Sequence, residues 1–223
     1  MKNFYKFAFT FCIAIFIYGC ASYKSKDNNL TVVLSKTEQA ITKLSEKIAT
    51  TDNDSLAIVH SKLEKKSKEL FPALEKCNEK YRLTKNYMVT LEVAQKKLEH
   101  LHDNFETLSH KAFVLDAIYR DYDAKLTSIN SSAKNDANTK VRVIVDSSED
   151  EGFFVFGKLS YEQELDIKRF RFNRPTHNAS LDFVPGYYLL WLEKEDRVGE
   201  PELHLITDNG KEEEKKLVLK TPK

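Results

Sequence analysis

Glycine and proline are divided between the two parts of this chain so unevenly that they dictate two kinds of structure. Residues 20–138 contain no glycine and one proline, Pro72, whereas residues 139–223 contain five glycines and four prolines. Both residues are penalised inside helices and mark turns. The first part therefore predicts long helices, and the second predicts short strands joined by turns. The boundary falls in the polar stretch Asn130-Ser131-Ser132-Ala133-Lys134-Asn135-Asp136-Ala137-Asn138, which has no apolar periodicity.

Hydrophobic spacing supports the helical half. Leu30, Leu34, Thr37, Ile41, Leu44 and Ile48 recur at alternating steps of four and three, a heptad stripe with Thr37 its only polar member. Thr50 to Ser55 breaks the stripe and offers a new N-cap. Leu56 opens a second run, with Leu63, Leu70, Leu74, Cys77, Tyr81 and Met88 on its apolar side. Pro72 predicts a kink or restart there, because it removes a backbone donor and restricts Phe71. Thr84-Lys85-Asn86 is a candidate turn. From Leu91 to Ile129 every a and d position is filled by an apolar residue. A continuous helix over that stretch would be about 58 Å long. Its seam must be buried, either in an antiparallel three-helix hairpin or against another copy of the chain. The turn signals near 52–55 and 84–86 favour folding back, although heptads alone do not set oligomeric state.

The second half alternates. Val141, Val143 and Val145 share one face of a strand, Phe153 to Phe156 form another, and Ala179 to Phe183 a third. Leu165 and Ile167 are out of phase with Phe170 and Phe172, which predicts a bulge near Lys168-Arg169 or two strands. Tyr187-Tyr188-Leu189-Leu190-Trp191-Leu192 is apolar enough for a central strand. Leu203 to Ile206 and Leu217 to Leu219 supply two more across a turn at Asp208-Asn209-Gly210. Seven short strands predict a small two-layer sandwich. Within it, Phe183-Val184-Pro185-Gly186-Tyr187-Tyr188 resembles the turn of transthyretin-like, carboxypeptidase-regulatory-like and PEGA-type β-sandwiches. Pro185 and Gly186 match the turn, and Tyr188 the aromatic of the following strand. The resemblance implies an immunoglobulin-like architecture that acts as a binding or spacing module, with no activity.

The first twenty residues carry an address. Lys2 and Lys6 precede an apolar run from Phe7 to Tyr18, too short to span a bilayer, that ends Ile17-Tyr18-Gly19-Cys20. This resembles a bacterial lipoprotein signal peptide with its lipobox. The resemblance implies that residues 1–19 are removed and that Cys20 carries lipid as the first residue of the mature chain. Several acyl chains hold a protein on a membrane durably. Ala21 after the cysteine, where Asp would mark inner-membrane retention, implies the outer membrane.

Removal of 19 of the 223 residues leaves 204, and Lys+Arg falls from 35 to 33 against 34 acidic residues, a net charge of about −1. A nearly neutral chain has no field that would draw nucleic acid. With Cys12 removed and Cys20 lipidated, Cys77 has no cysteine left to pair with, so no internal disulfide framework is expected. It reads as a small buried residue on a helix.

Candidate chemistry is sparse. His102, Glu106 and His110 fall at helical spacing on one flank, outside the apolar seam, and read as a solvated helix face; no second His pair or cysteine completes a tetrahedral metal set. There is no Gly-x-Ser-x-Gly, no His-Glu-x-x-His and no phosphate-cradling glycine loop. No catalytic residue, metal or cofactor is assigned. Lys168-Arg169-Phe170-Arg171-Phe172-Asn173-Arg174 interleaves basic and aromatic residues, which suits an acidic partner or a glycan and equally a strand with one wet face. Arg169, Arg171, Arg174 and Tyr188 are the candidate interaction surface, and Cys20 is the lipidation site.

The expected organisation is a signal peptide over 1–19 and a lipidated tether over 20–29. A helical coiled-coil domain over 30–131, a linker over 132–139 and a β-sandwich domain over 140–221 follow. The expected role is that of an outer-membrane lipoprotein whose helical stalk presents the sandwich to a protein partner, without turnover. Self-association through the helices, binding of cell-wall glycan or a small ligand, and service in an envelope-spanning secretion assembly are the competing roles.

Overall fold

The computed structural model describes residues 29–132, 136–162, 169–208 and 214–222. Within them, four helices are followed by an all-β region of two sheets.

The helices are α1 over residues 29–48, α2 (Asp54–Tyr81), α3 (Lys85–Asp103) and α4 (Lys111–Ser131). The capping residues act as their side chains require. Asn53 accepts from the Leu56 amide at 3.0 Å to start α2, and Thr84 accepts from the Tyr87 amide at 3.4 Å to start α3. The α1 stripe is buried along its whole length, from Leu30 to Ile48. Its polar member, Thr37, is 1 % exposed; its hydroxyl donates to the Val33 carbonyl and shares a hydrogen bond with the buried Tyr122 of α4. Cys77 is buried on the inward side of α2.

Two expectations for the helices are corrected. Pro72 does not interrupt α2, which runs through it for 28 residues. Pro72 lies on the exposed side between the buried Phe71 and Leu74, so water can satisfy the carbonyl it orphans while packing holds the flanks. The unbroken Leu91–Ile129 helix is not formed either. α3 ends at Asp103, where Asn104 folds its side chain back onto the His100 carbonyl at 3.0 Å, and α4 restarts at Lys111. The apolar register passes through the turn because Phe105, 1 % exposed, closes the end of the bundle under the ammonium groups of Lys47 and Lys111.

The break makes four helices where three were expected, and an even number returns the chain to its starting end. His60 of α2 reaches the Ile41 carbonyl of α1, Asn29 of α1 bonds Glu92 of α3, and Lys66 of α2 pairs with Asp123 of α4. These contacts describe an up-down-up-down bundle. At its lower end Asn138 braces the turn between α2 and α3, accepting from the Thr84 amide at 2.7 Å and donating to the carbonyls of Tyr81 and Arg82. Arg82 is held there in the left-handed region, at φ 41°. The β region therefore starts at the end of the bundle where α1 starts.

The strands are β1 (Val141–Ser147), β2 (Phe154–Leu159), β3 (Phe170–Arg171), β4 (Ala179–Phe183), β5 (Gly186–Lys194), β6 (Arg197–Val198), β7 (Glu202–Ile206) and β8 (Glu214–Leu219). One sheet has the order β4-β1-β8, with β1 antiparallel to β4 and parallel to β8. The other has the order β3-β2-β5-β6, with β7 also paired to β5. β5 is the central strand that its continuous apolar run predicts. Val141, Val143 and Val145 from one sheet and Val155, Leu190 and Leu192 from the other are all buried in the core between them. Phe183 of β4 meets Phe170, Phe172 and Tyr188 edge to face across the gap. Gly157 makes room for this packing: a Cβ there would lie 2.5 Å from the Phe170 ring. The phase slip expected at 165–168 lies outside the described residues, as does most of the turn expected at 208–210.

Helices and sheets share one hydrophobic core. α4 lies across the end of the sheet at which β5 begins, and a buried polar node ties them. Asp121 and Lys125 are both 0 % exposed and 2.7 Å apart. Lys125 also donates to the Pro185 carbonyl at 3.0 Å, and Asp121 accepts from the Tyr187 amide at 3.3 Å. Tyr161, on the 3-10 turn Ser160–Glu162 after β2, donates to the Thr90 carbonyl of α3 at 3.2 Å. Burial pushes the Asp121 carboxyl up and the Lys125 ammonium down, and their mutual attraction opposes both shifts. Gly186 permits the contact, since a Cβ at that position would sit 2.5 Å from the Asp121 carboxylate.

Candidate functional site

Pairing register divides the side chains of the five-stranded sheet between two faces. Phe156 faces Trp191 and Arg171 across the strands, while Gly157 faces Leu190 and Phe170. Side chains alternate along a strand, so Phe154, Phe156 and Lys158 of β2, Arg171 of β3, and Leu189, Trp191 and Glu193 of β5 share the outer face, turned away from the other sheet. Phe170 and Phe172 point inward. The interleaving of arginine and phenylalanine over 169–172 thus separates a wet face from a dry one.

The outer face carries an ordered arrangement of its own. The Phe156 and Trp191 rings lie 6.2 Å apart at 21°. The Arg169 guanidinium sits 4.4 Å over Phe156, and that of Arg171 sits 4.7 Å over Phe154. Planar guanidinium groups stack on aromatic faces while keeping their N–H groups available. Glu193 fixes two members, accepting from Arg169 at 2.5 Å and from the Trp191 indole N–H at 2.7 Å. Trp191 is only 7 % exposed and extends the floor beside Phe156. Val198 and Leu203, 62 % and 42 % exposed, add apolar surface on β6 and β7 of the same sheet.

The predicted site residues separate. Arg169 and Arg171 come together on this face. Arg174 is exposed in the turn before β4 and does not stack with them. Tyr188 is corrected as a surface residue: it is 5 % exposed on the inner face, with its hydroxyl bonded to the Val184 carbonyl at 2.7 Å. Register decides this, because Tyr188 opposes Leu159 and is one residue out of phase with Trp191. Cys20 lies outside the described residues. His102, Glu106 and His110 do not share a helix flank, because α3 ends between them; among the described residues no group of His, Cys, Asp and Glu is arranged to hold a metal. No helix among the described residues is long and apolar enough to cross a membrane.

Sequence reasoning missed Phe154, Phe156 and Glu193 as partners of the arginines. The signal for the first two was present, as Phe154 and Phe156 are in phase on one strand. Which strand lies beside β3 is a pairing that no local pattern states. Comparison with protein-family models, with curated proteins and with solved structures finds no match.

Proposed function

We propose that this chain is a lipid-anchored envelope protein, acylated at Cys20 and held at the outer membrane, whose β region engages a protein partner without turnover. The β region is read as an immunoglobulin-like, transthyretin-like sandwich. Two packed sheets support that type, and so does the Tyr188 hydroxyl closing onto the Val184 carbonyl four residues upstream, the geometry of a tyrosine corner. The anchor rests on the sequence Ile17-Tyr18-Gly19-Cys20.

The observation that carries the interaction reading is the stack of Arg169 and Arg171 on Phe156 and Phe154, on a sheet face with exposed apolar neighbours. Arginine and aromatic residues held rigidly dominate the energetics of protein interfaces. Because the chain returns to its starting end, an anchored bundle would keep the sandwich beside its base. The partner would then be met close to the membrane.

Two measurements test this. Mass spectrometry of the purified full chain reads the modification on Cys20, and an unmodified Cys20 sinks the anchor. Photo-crosslinking from position 154 in the native envelope is expected to trap one defined partner, with Val218 on β8 as the control position. Equal trapping at both positions, or at neither, refutes the assignment of the face.

A further inference from the structure

We propose that the outer face of the five-stranded sheet docks an acidic segment of a protein partner in which carboxylates alternate with apolar side chains. This rests on the reading of that face as an interaction surface and names the chemistry it selects.

Charge on the face is one-sided. Among the described residues Lys158, Arg169 and Arg171 are its cations, and Glu193 is its one carboxylate, spent on Arg169 and on the Trp191 indole. Lys158 feels the Glu162 carboxyl behind it without touching it, and Arg171 makes no ion pair with the described residues. The mature chain is nearly neutral, at about −1 by count, so this excess of cations is local. The cations stand over or beside rings with apolar surface next to them, which selects a ligand carrying anionic and apolar groups together. A second copy of the chain is disfavoured, because two such faces would bring cations against cations. A lipid surface is disfavoured by the floor itself: Trp191 is 7 % exposed with its N–H bonded, so it has no free edge to insert among headgroups.

Trp191 is the only tryptophan of the chain, so its emission reports on the face directly. The full chain in detergent is titrated with a synthetic peptide of about ten residues alternating Glu and Leu, a length that spans a sheet face, and separately with the same peptide carrying Lys for Glu. The expected result is a saturable change in Trp191 emission with the Glu–Leu peptide alone, weakened as salt rises from about 0.05 M to about 0.5 M. R171E is expected to weaken that binding at least about tenfold. K158E acts in the same direction and serves if R171E disturbs folding, which circular dichroism reads. Equal response to both peptides, or no response to the Glu–Leu peptide up to about 1 mM, overturns the proposal. So does a response to vesicles of anionic phospholipid in place of the peptide, or dimerisation through this face. Crosslinking of a partner at position 154 with no response to the Glu–Leu peptide overturns the acidic class and leaves the interaction reading standing.

Discussion

Replacing Lys125 with Met should be among the most damaging single changes available to this protein. The Lys125 ammonium and Asp121 carboxylate are 2.7 Å apart with no exposed surface. At an effective dielectric of about 20 their gross attraction is about 6 kcal/mol, and desolvation of the two ions offsets most of it. Met keeps the volume and removes the charge. Asp121 is then left with two long hydrogen bonds, from the Tyr187 amide at 3.3 Å and the Tyr161 hydroxyl at 3.4 Å. A buried charge stripped of its partner costs about 3–5 kcal/mol, and that is the loss expected for K125M. The double variant D121L/K125M leaves no charge behind and should fall within about 2 kcal/mol of the wild type.

Urea unfolding followed by two probes checks this: Trp191 emission for the sheets and far-ultraviolet circular dichroism for the helices. The node lies in a core shared by both, so the two transitions should coincide and shift together. The pH dependence supplies a second check. Burial already raises the Asp121 carboxyl, and without Lys125 nothing cationic opposes that rise. A carboxyl raised on folding is a liability above its folded value, and the liability fades as pH falls through it. Glu162 contributes its own gain in this range to both variants, so K125M should regain more stability than the double variant from pH 7 towards pH 5. A K125M loss under about 1 kcal/mol, or separate transitions of which only one moves, would refute the reasoning.

Three further outcomes are expected. Glu162, 5 % exposed, has its carboxyl raised by burial from 4.5 to about 6. The wild type should therefore lose about 2 kcal/mol as pH rises from 4.5 through 6, and thermal melts of E162Q should lack that dependence. G186A forces a methyl to 2.5 Å from the Asp121 carboxylate and should cost about 1–3 kcal/mol by urea midpoint, less in a D121A background. N138A removes three hydrogen bonds to the α2–α3 turn, so hydrogen exchange should accelerate at the Thr84 amide while the amides of the α1 core change little.

Much of the local structure was legible in the chain. The glycine and proline map separated helices from strands, the break over residues 50–55 and the turn over residues 84–86 marked two helix boundaries, and strict alternation declared β1. These signals are local: each is carried by residues within one turn or one strand, and backbone sterics and capping chemistry act over that distance. The turn after α3 was hidden because its buried plug, Phe105, keeps the heptad register. Pro72 does not restart the helix, because on the solvent-facing side water can satisfy the carbonyl it orphans.

Register and return path were decided by tertiary structure. Tyr188 and Trp191 are both aromatic residues in one apolar run, and only the pairing of β2 with β5 sends the first into the core and the second to the outer face. Pro185-Gly186 reads as a turn in any sequence; that its carbonyl and its missing Cβ receive Lys125 and Asp121 follows from α4 lying against it. The buried ion pair is i, i+4 on a helix, a spacing usual on solvated faces. Only the approach of the sheet makes it the charged centre of a shared core. Composition and periodicity state which side chains prefer to be buried. Which other side chain does the burying is a choice among distant segments, made when the whole chain packs.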